Sequence, residues 1–409
     1  MPIKYLRTSR VHNQSVLLRV DVNVPLDKKT GAVADDYRIV EVLPTIKLLH
    51  QQGNKIIICG HLGRPGGKPD PKFSLLKVAE HLAKLLELKF VETGYQLPDY
   101  HIPHLIFYSG KITEDKHQKQ LQASPDKDII LLENLRFYPG EEENDPVFAK
   151  KLAGLAEVYV NDAFGVDHRK AASVSGITKC LPSYCGLLLE KEIKALDIVL
   201  HKSRPPFVLM MGGIKISDKV QTIENLGKKA DKLLLGGGIA TLFFLAKGLE
   251  VGLSRVEKEA VKVAWQLEKN FKHKILLPLD VVVANENMDK DSIRVASPYE
   301  VGKKEMILDA GPKTILAYAK ELKLAKTIVW NGPLGLFEVK PFHTATMALA
   351  HLIGGRGKGK AFAVVGGGET VDAIRGAGQV NHIDHVSTGG GAMLEYLAGK
   401  KLPGIEALK

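Results

Sequence analysis

The sequence predicts an α/β protein with parallel sheets covered by helices on both faces. Three observations carry this. Short β-branched or leucine-rich runs recur along the chain, and amphipathic stretches with helical spacing follow most of them. The runs are apolar almost throughout instead of alternating, as strands buried on both sides are. At 409 residues there is also enough chain for two or three domains.

In order, the strand-like runs of the first half are residues 16–20, 55–59, 128–132 and 158–160. Those of the second half are 207–211, 232–235, 274–277, 327–330, 361–365 and 385–386. Between the halves, Leu189, Ile193, Leu196 and Leu200 fall on one face of a helix, which His201-Lys202-Ser203-Arg204-Pro205-Pro206 ends. The pattern alone fits either a helix joining two domains or a buried core helix.

Hydrophobic residues make up 45% and charged residues 25% of the chain, as in ordinary globular proteins. No apolar run reaches membrane-spanning length, and the N-terminal MPIKYLRTSR carries no signal-peptide core, so a cytoplasmic protein is expected. Three cysteines, Cys59, Cys180 and Cys185, are too few and too scattered for a disulfide framework or a zinc site. The net charge of +11 calls for an anionic partner, either nucleic acid or small phosphorylated metabolites. The basic residues form no tail, and no zinc finger, RNA-binding aromatic signature or basic zipper is present. Nucleic acid is therefore not expected.

In open parallel sheets, ligands gather beyond the carboxyl ends of the strands. After the first-half strands stand Asp21-Val22-Asn23-Val24-Pro25, His61-Leu62-Gly63-Arg64-Pro65, Glu133-Asn134-Leu135-Arg136 and Asn161-Asp162-Ala163-Phe164-Gly165. After the second-half strands stand Gly212-Gly213, Gly236-Gly237-Gly238, Asn331-Gly332-Pro333, Gly366-Gly367-Gly368 and Gly389-Gly390-Gly391. One half is built to grip a small anion with arginine forks. The other is built to cradle phosphates with bare peptide N–H groups.

Each motif has a plainer reading. Asp21, Asn23 and Pro25 suit a simple turn. Arg38 has Asp35 and Asp36 nearby to pair with, and Arg136 or Arg169 alone would be a surface charge. What counts is that Arg38, Arg64, Arg136 and Arg169 recur in equivalent contexts. A helix starting just after Gly213 would send the amines of Lys215 and Lys219 from one face, one turn apart. Glu369, at a helix start, suits either a nucleotide-bound Mg²⁺ or the helix dipole. No good GxGxxG is present. Residues 354–360 have Walker A spacing but lack its Ser/Thr and precede a strand, so they read as a solvated loop. The acidic run Glu141-Glu142-Glu143-Asn144-Asp145 reads as a solvated helix start, and Trp330 as core.

Taken in order, these signatures resemble phosphoglycerate kinases over essentially the whole chain. The resemblance runs from Leu18-Arg-Val-Asp-Val-Asn-Val-Pro25 through His61-Leu-Gly-Arg-Pro65, Glu133-Asn-Leu-Arg-Phe137 and Asn161-Asp-Ala-Phe-Gly165. It continues through Gly212-Gly-Ile-Lys-Ile-Ser-Asp-Lys219, Trp330-Asn-Gly-Pro-Leu-Gly335 and Gly366-Gly-Gly to Ser387-Thr-Gly-Gly-Gly-Ala-Met-Leu-Glu395. It implies two Rossmann-like domains joined by a helical hinge: 1–186 for the acid, 187–204 as hinge, 205–388 for the nucleotide, and 389–409 returning to the first domain. It implies reversible phosphoryl transfer between 1,3-bisphosphoglycerate and ADP, giving 3-phosphoglycerate and MgATP, by a cytoplasmic monomer.

By the same resemblance, Asp21, Asn23, Arg38, His61, Leu62, Gly63, Arg64, Arg136 and Arg169 hold the three-carbon acid. Gly212, Gly213, Lys215, Lys219, Gly236, Gly237, Gly238, Gly311, Asn331, Gly332, Glu338, Gly366, Gly367, Gly368, Glu369 and Thr370 line the nucleotide site. Glu338 would meet the ribose. Arg38, Lys215, Mg²⁺ and the N–H groups of Gly389 and Gly390 would neutralise the moving phosphoryl group. The chain departs from the family pattern at Glu369, where Asp is usual, and at Ile214, where a small residue is usual. It departs again around Arg169, where Val166-Asp167-His168-Arg169-Lys170-Ala171 replaces Thr-Ala-His-Arg-Ala-His. Another carboxylate kinase would need a different acid-binding set, and a silent binder would have lost Lys215 and Lys219.

Overall fold

A computed structural model describes residues 2–93, 103–125 and 128–409. The chain divides into two compact units, the first Met1–Ile193 with Lys401–Lys409 and the second Lys194–Lys400. The division falls inside one helix, Leu187–Lys202.

The first unit contains strands β1 (Ser15–Val20), β2 (Lys55–Cys59), β3 (Lys89–Thr93), β4 (His104–Tyr108), β5 (Ile129–Leu132), β6 (Val158–Asp162) and β7 (Ser183–Cys185). They form one parallel sheet in the order β3-β4-β5-β2-β1-β6-β7. Its helices are α1 (Tyr37–Gln51), α2 (Leu76–Leu86), α3 (Asp115–Gln122), α4 (Pro139–Glu142), α5 (Pro146–Ala153) and the start of α6 (Leu187–Lys202). β2 reads Lys-Ile-Ile-Ile-Cys and is buried at every position, so no polar face exists for it to alternate with. Residues of β1, β2, α1 and α2 pack into one core.

The second unit adds β8 (Phe207–Met211), β9 (Lys232–Leu235), β10 (Ile275–Leu276), β11 (Val281–Asn285), β12 (Arg294–Ala296), β13 (Glu305–Ala310), β14 (Thr327–Asn331), β15 (Phe362–Gly366) and β16 (His385–Val386). Six form a parallel sheet, β10-β9-β8-β14-β15-β16. Its helices are α7 (Val220–Gly227), α8 (Gly237–Ala246), α9 (Val261–Phe271), α10 (Pro312–Leu324), α11 (Thr344–Gly354), α12 (Gly368–Gly376) and α13 (Gly391–Leu397). The last helix, α14 (Pro403–Glu406), belongs to the first unit.

The predicted α/β class with parallel sheets is therefore the fold observed. The sequence reading named no strand at β3, β4 or β7, nor any of the antiparallel sheet β12-β11-β13. Its outer strands β12 and β13 escape a search for continuous apolar runs because they are partly solvated, whereas β11 reads Val-Val-Val-Ala and was overlooked. β12 has three residues, two of them exposed. Trp330 is fully buried, as expected, and its Nε1–H donates to the Gly332 carbonyl at 2.8 Å.

Asp167, in the first unit, is fully buried and carries a consequence for stability. Its Oδ1 accepts from Asn161 Nδ2 at 2.7 Å and its carbonyl accepts from Gly404 N at 2.9 Å. Burial pushes its carboxyl up to about 8, against the opposing pull of the Asn161 amide and Arg19. A carboxyl whose folded pKa is raised binds protons more readily folded than unfolded. Its contribution is present at low pH and is lost as pH rises through about 8. Urea unfolding at pH 6 and pH 9 is expected to show a loss of stability in wild type that Asp167→Asn reduces. Parallel losses in both proteins would contradict this.

Candidate active site

In the first unit, the carboxyl ends of β1 and β2 bring Asp21, Asn23, His61 and Gly63 together. Asp21 is buried, lies 3.2 Å from Arg38 Nη1, and accepts from the Asn23 N–H at 3.2 Å. Arg38 thus faces Asp21 across the site and donates to the Asn23 carbonyl at 2.8 Å. Asn23 Oδ1 accepts from Gly63 N at 2.9 Å, and the Gly63 carbonyl accepts from Arg136 Nη1 at 2.7 Å. These bonds link the ends of β1, β2 and β5. Arg136 is 6% exposed and lies 3.3 Å from Glu142, so it is no surface charge. Leu62 is buried, and its carbonyl accepts from Asn134 Nδ2. Arg169 is partly exposed, beside His168 and 4.0 Å from Glu142. Arg64 is exposed.

His61 is buried among cations. Burial first, then Arg19, Arg136, Arg38 and Arg169, hold its pKa well below the ordinary imidazole value, so the ring is neutral at pH 7. Arg19, Arg136, Glu141, Glu142 and Arg169 also border a cavity of about 200 Å³. Glu141 departs from the sequence reading. It is buried rather than solvated, because both its oxygens accept from Ser173.

The second unit holds a larger cavity of about 680 Å³ at the carboxyl ends of β8, β14 and β15. Lys219, Asn331, Gly332, Gly367, Gly368, Glu369, Thr370 and Gly390 line it. Gly391, of the last glycine cluster, lines it too, and so do Ser217, Asp218, Gln221, Thr222, Leu394, Glu395, Ala398 and Lys400, which were not named as site residues. One wall is made where Thr222 Oγ1 on α7 donates to the Leu394 carbonyl on α13.

Several glycines expected to offer bare N–H groups have theirs engaged by backbone. Gly212 N donates to the Asn331 carbonyl, Gly213 N to Pro333, Gly236 N to Met211 and Gly237 N to Leu334. Gly212 and Gly332 must be glycine because their chains cross: a Cβ on either would strike the other loop's carbonyl. A Cβ on Gly238 would sit tightly, 3.0 Å from Ile214 Cα and 3.1 Å from the Arg255 carbonyl oxygen. Gly311 caps α10 against Asp280, and Gly366 faces Met393, both away from the cavity. Gly389 is buried with its N–H donating to Ser387 Oγ at 3.1 Å, so the expected pair of N–H donors reduces to Gly390. Gly368, Gly390 and Gly391 differ, since a Cβ at each would meet nothing within 4 Å. Gly368 and Gly391 open α12 and α13, where first-turn N–H groups lack intrahelical acceptors. These are the positions suited to an anion.

Asn331 and Thr370 act on the frame of the cavity. Asn331 Nδ2 donates to the Gly366 carbonyl at 2.8 Å, and Thr370 Oγ1 accepts from Gly332 N at 2.7 Å. Residues 212–219 do not begin a helix as expected; α7 starts at Val220. Glu257 accounts for this, accepting the N–H groups of Ile216 and Ser217 at 3.0 Å each and pinning the segment as a turn. The two lysines therefore part. Lys219 is half-buried at the cavity, its pKa lowered by burial, while Lys215 is exposed and outside it. Ile214 is 51% exposed and does not line the cavity, so it does not crowd it. Burial, then Glu338 and Asp372, raise the pKa of Glu369, with Lys219 opposing.

A family model described as phosphoglycerate kinase matches residues 6–400. The chain belongs to the phosphoglycerate kinase family. It is 43% identical over 397 residues to the phosphoglycerate kinase of Chloroflexus aurantiacus, covering 96% of this chain and 95% of that one. It is 42% identical over 412 residues to that of Chlorobaculum tepidum, covering 100% of both. Among solved structures, phosphoglycerate kinase from Coxiella burnetii matches with a TM-score of 0.82 and 38% identity, over 100% of this chain and 99% of that one. The enzyme from Pyrococcus horikoshii matches with a TM-score of 0.84 and 30% identity, over 99% and 98%. The chain is thus a phosphotransferase acting on a carboxyl group, and the family's substrates are 3-phosphoglycerate and ATP/ADP. No helix among the described residues is long and apolar enough to cross a membrane.

Three residues around the phosphoglycerate kinase signatures were missed. Arg19 and Ser173 lie beneath the arginine pocket, and Glu257 holds the lysine turn. Arg19 was visible as the one charge inside a buried strand. Nothing in the sequence pointed to the other two.

Proposed function

We propose that the first unit binds 3-phosphoglycerate and the second binds the nucleotide. Arg38, His61, Arg64, Arg136 and Arg169, with Asp21, Asn23, Leu62 and Gly63, hold the acid. Lys219, Gly332, Gly367, Gly368, Glu369, Thr370 and Gly390 surround the nucleotide phosphates, and Glu338 reaches the ribose. The remaining glycines shape that cavity from behind. The observation that carries this reading is the split itself: arginines around a neutral His61 in one unit, a large cavity edged by helix N-termini and the lysines Lys219 and Lys400 in the other.

The chemistry asks for nothing more. A carboxyl pKa near about 3.5 leaves the acid ionised at pH 7, so the acceptor needs no general base. What remains is to position the acid and nucleotide in line, neutralise the moving phosphoryl group and exclude water. Arg38 supplies a positive charge fixed by Asp21 and the Asn23 carbonyl, Lys215 a mobile one, and Gly390 a backbone donor. The protein acts as a cytoplasmic monomer without nucleic acid.

Mg²⁺ fits the second unit. Among the described residues no group of three or more His, Cys, Asp or Glu is arranged to hold a metal by itself. Glu369, however, sits in the negative field of Glu338 and Asp372, and a hard cation prefers such oxygen donors. Glu369 would approach the ion directly or through a water, and the nucleotide would supply the other ligands. Bound there, Mg²⁺ neutralises phosphate charge. Glu369→Gln is expected to raise the Mg²⁺ concentration needed for half-maximal rate by about tenfold. An unchanged Mg²⁺ dependence would remove Glu369 from the metal.

The division is tested by calorimetric binding of each substrate alone. Lys219→Ala is expected to weaken ADP about tenfold or more and leave 3-phosphoglycerate unchanged, and Arg136→Ala the reverse. Either variant weakening both ligands equally would contradict the division.

A further inference from the structure

A buried polar chain beneath the arginine pocket fixes the position of one proton. Arg19 is 2% exposed on β1, and its Nε donates to Ser173 Oγ at 2.8 Å. The Ser173 hydroxyl has a single proton, which it donates to Glu141 Oε1 at 2.6 Å. The Ser173 N–H donates to the other oxygen, Oε2, at 3.0 Å. Arg19 Nη1 donates to the Val20 carbonyl, and Nη2 lies 3.3 Å from His61 Nδ1.

A guanidinium carries only donors. At the Arg19–His61 contact the imidazole must therefore accept, so Nδ1 presents a lone pair and the ring proton sits on Nε2. The nearest carboxylate does not compete, because Asp21 Oδ1 is 3.9 Å from Nδ1, beyond hydrogen-bond length. The other charges facing the ring are Arg38, Arg136 and Arg169, none of which accepts a proton from it.

We propose that Glu141 and Ser173 are positioning residues which, through Arg19, hold His61 as the Nε2–H tautomer and so aim a neutral donor at the bound acid. A neutral donor adds direction without adding another cation to an arginine-rich pocket. The ordering rests on geometry: Ser173 is locked from both its N–H and its hydroxyl, and a lone pair of that hydroxyl accepts from Arg19. A buried arginine left without such an acceptor would turn elsewhere. The functional half of the proposal depends on His61 contacting the acid.

Nitrogen NMR of the full-length enzyme, labelled with ¹⁵N-histidine and assigned with a His61→Gln variant, separates the two. Wild type is expected to show His61 protonated at Nε2 alone between pH 6 and pH 8. Ser173→Ala should mix the tautomers, raise KM for 3-phosphoglycerate about tenfold and leave KM for ATP unchanged. Ser173→Thr, which keeps the hydroxyl, should restore both. Should Ser173→Ala not fold, Glu141→Gln is expected to give the same split in the folded protein. An Nδ1–H ring or an imidazolium in wild type would overturn the proposal, as would a wild-type tautomer in the variants. A His61 Nε2 chemical shift unmoved by saturating 3-phosphoglycerate would overturn the role of His61 in acid binding while leaving the proton placement intact; the tautomer itself should stay Nε2–H in the complex.

Discussion

Replacing Lys215 by alanine is expected to lower the turnover number by roughly 10²–10³-fold, the usual loss when one group stabilising transition-state charge is removed. ADP and ATP should bind nearly as before. The two halves of this expectation come from one contrast. Lys219 lines the cavity of the second unit and is half-buried there. Lys215 is exposed, outside that cavity, on a turn that Glu257 pins by two N–H bonds. A lysine that does not hold the resting nucleotide is free to follow the phosphoryl group. Stopped-flow turnover with parallel ADP titration checks this, and near-normal turnover would remove the role.

Arg38→Ala should fall almost as far, roughly 10²-fold or more in turnover, with KM for 3-phosphoglycerate raised about tenfold. Arg38 differs from Lys215 in having fixed partners, Asp21 at 3.2 Å and the Asn23 carbonyl at 2.8 Å. Its loss therefore frees a buried carboxylate as well as removing a cation. Arg38→Lys keeps the charge but not the fork, and should recover only part of the rate. Steady-state kinetics in both substrates separates the effects: KM for ATP should not move. A normal KM for the acid together with normal turnover would show that Arg38 serves only to hold the end of β1.

The clustering of side chains in the pocket proposed for the acid was largely legible in the sequence, because most of them follow strands. His61 and Arg136 come just after β2 and β5, and strand ends in a parallel sheet converge. What supports them was not legible. Ser173 meets Arg19 across 154 positions of sequence and Glu141 across 32, and no local pattern encodes such distances. Glu141 sat in an acidic run that composition alone assigns to solvent.

The cavity proposed for the nucleotide was legible in outline and misread in detail. A glycine required because two backbones cross looks the same in sequence as one left bare for a phosphate. Gly212 and Gly332 are of the first kind; Gly368 and Gly390 have the open space of the second. Helix spacing likewise suggested that Lys215 and Lys219 share a face. A carboxylate forty residues away, Glu257, decides otherwise by holding the turn open until Val220. Most strands of the parallel sheets announced themselves as continuous apolar runs. In the β12-β11-β13 sheet only β11, Val-Val-Val-Ala, carries such a run, and it was passed over because its neighbours β12 and β13 are partly exposed or bounded by charged residues.

The most direct test of the account is a reaction of 3-phosphoglycerate with MgATP in the presence of hydroxylamine, which traps an acyl phosphate as its hydroxamate. Wild type should form hydroxamate in step with ADP, only when both substrates are present, and Arg38→Ala should form almost none. ADP released without hydroxamate, or equal hydroxamate from a three-carbon acid lacking the phosphate, would contradict the assignment of the arginine pocket to 3-phosphoglycerate.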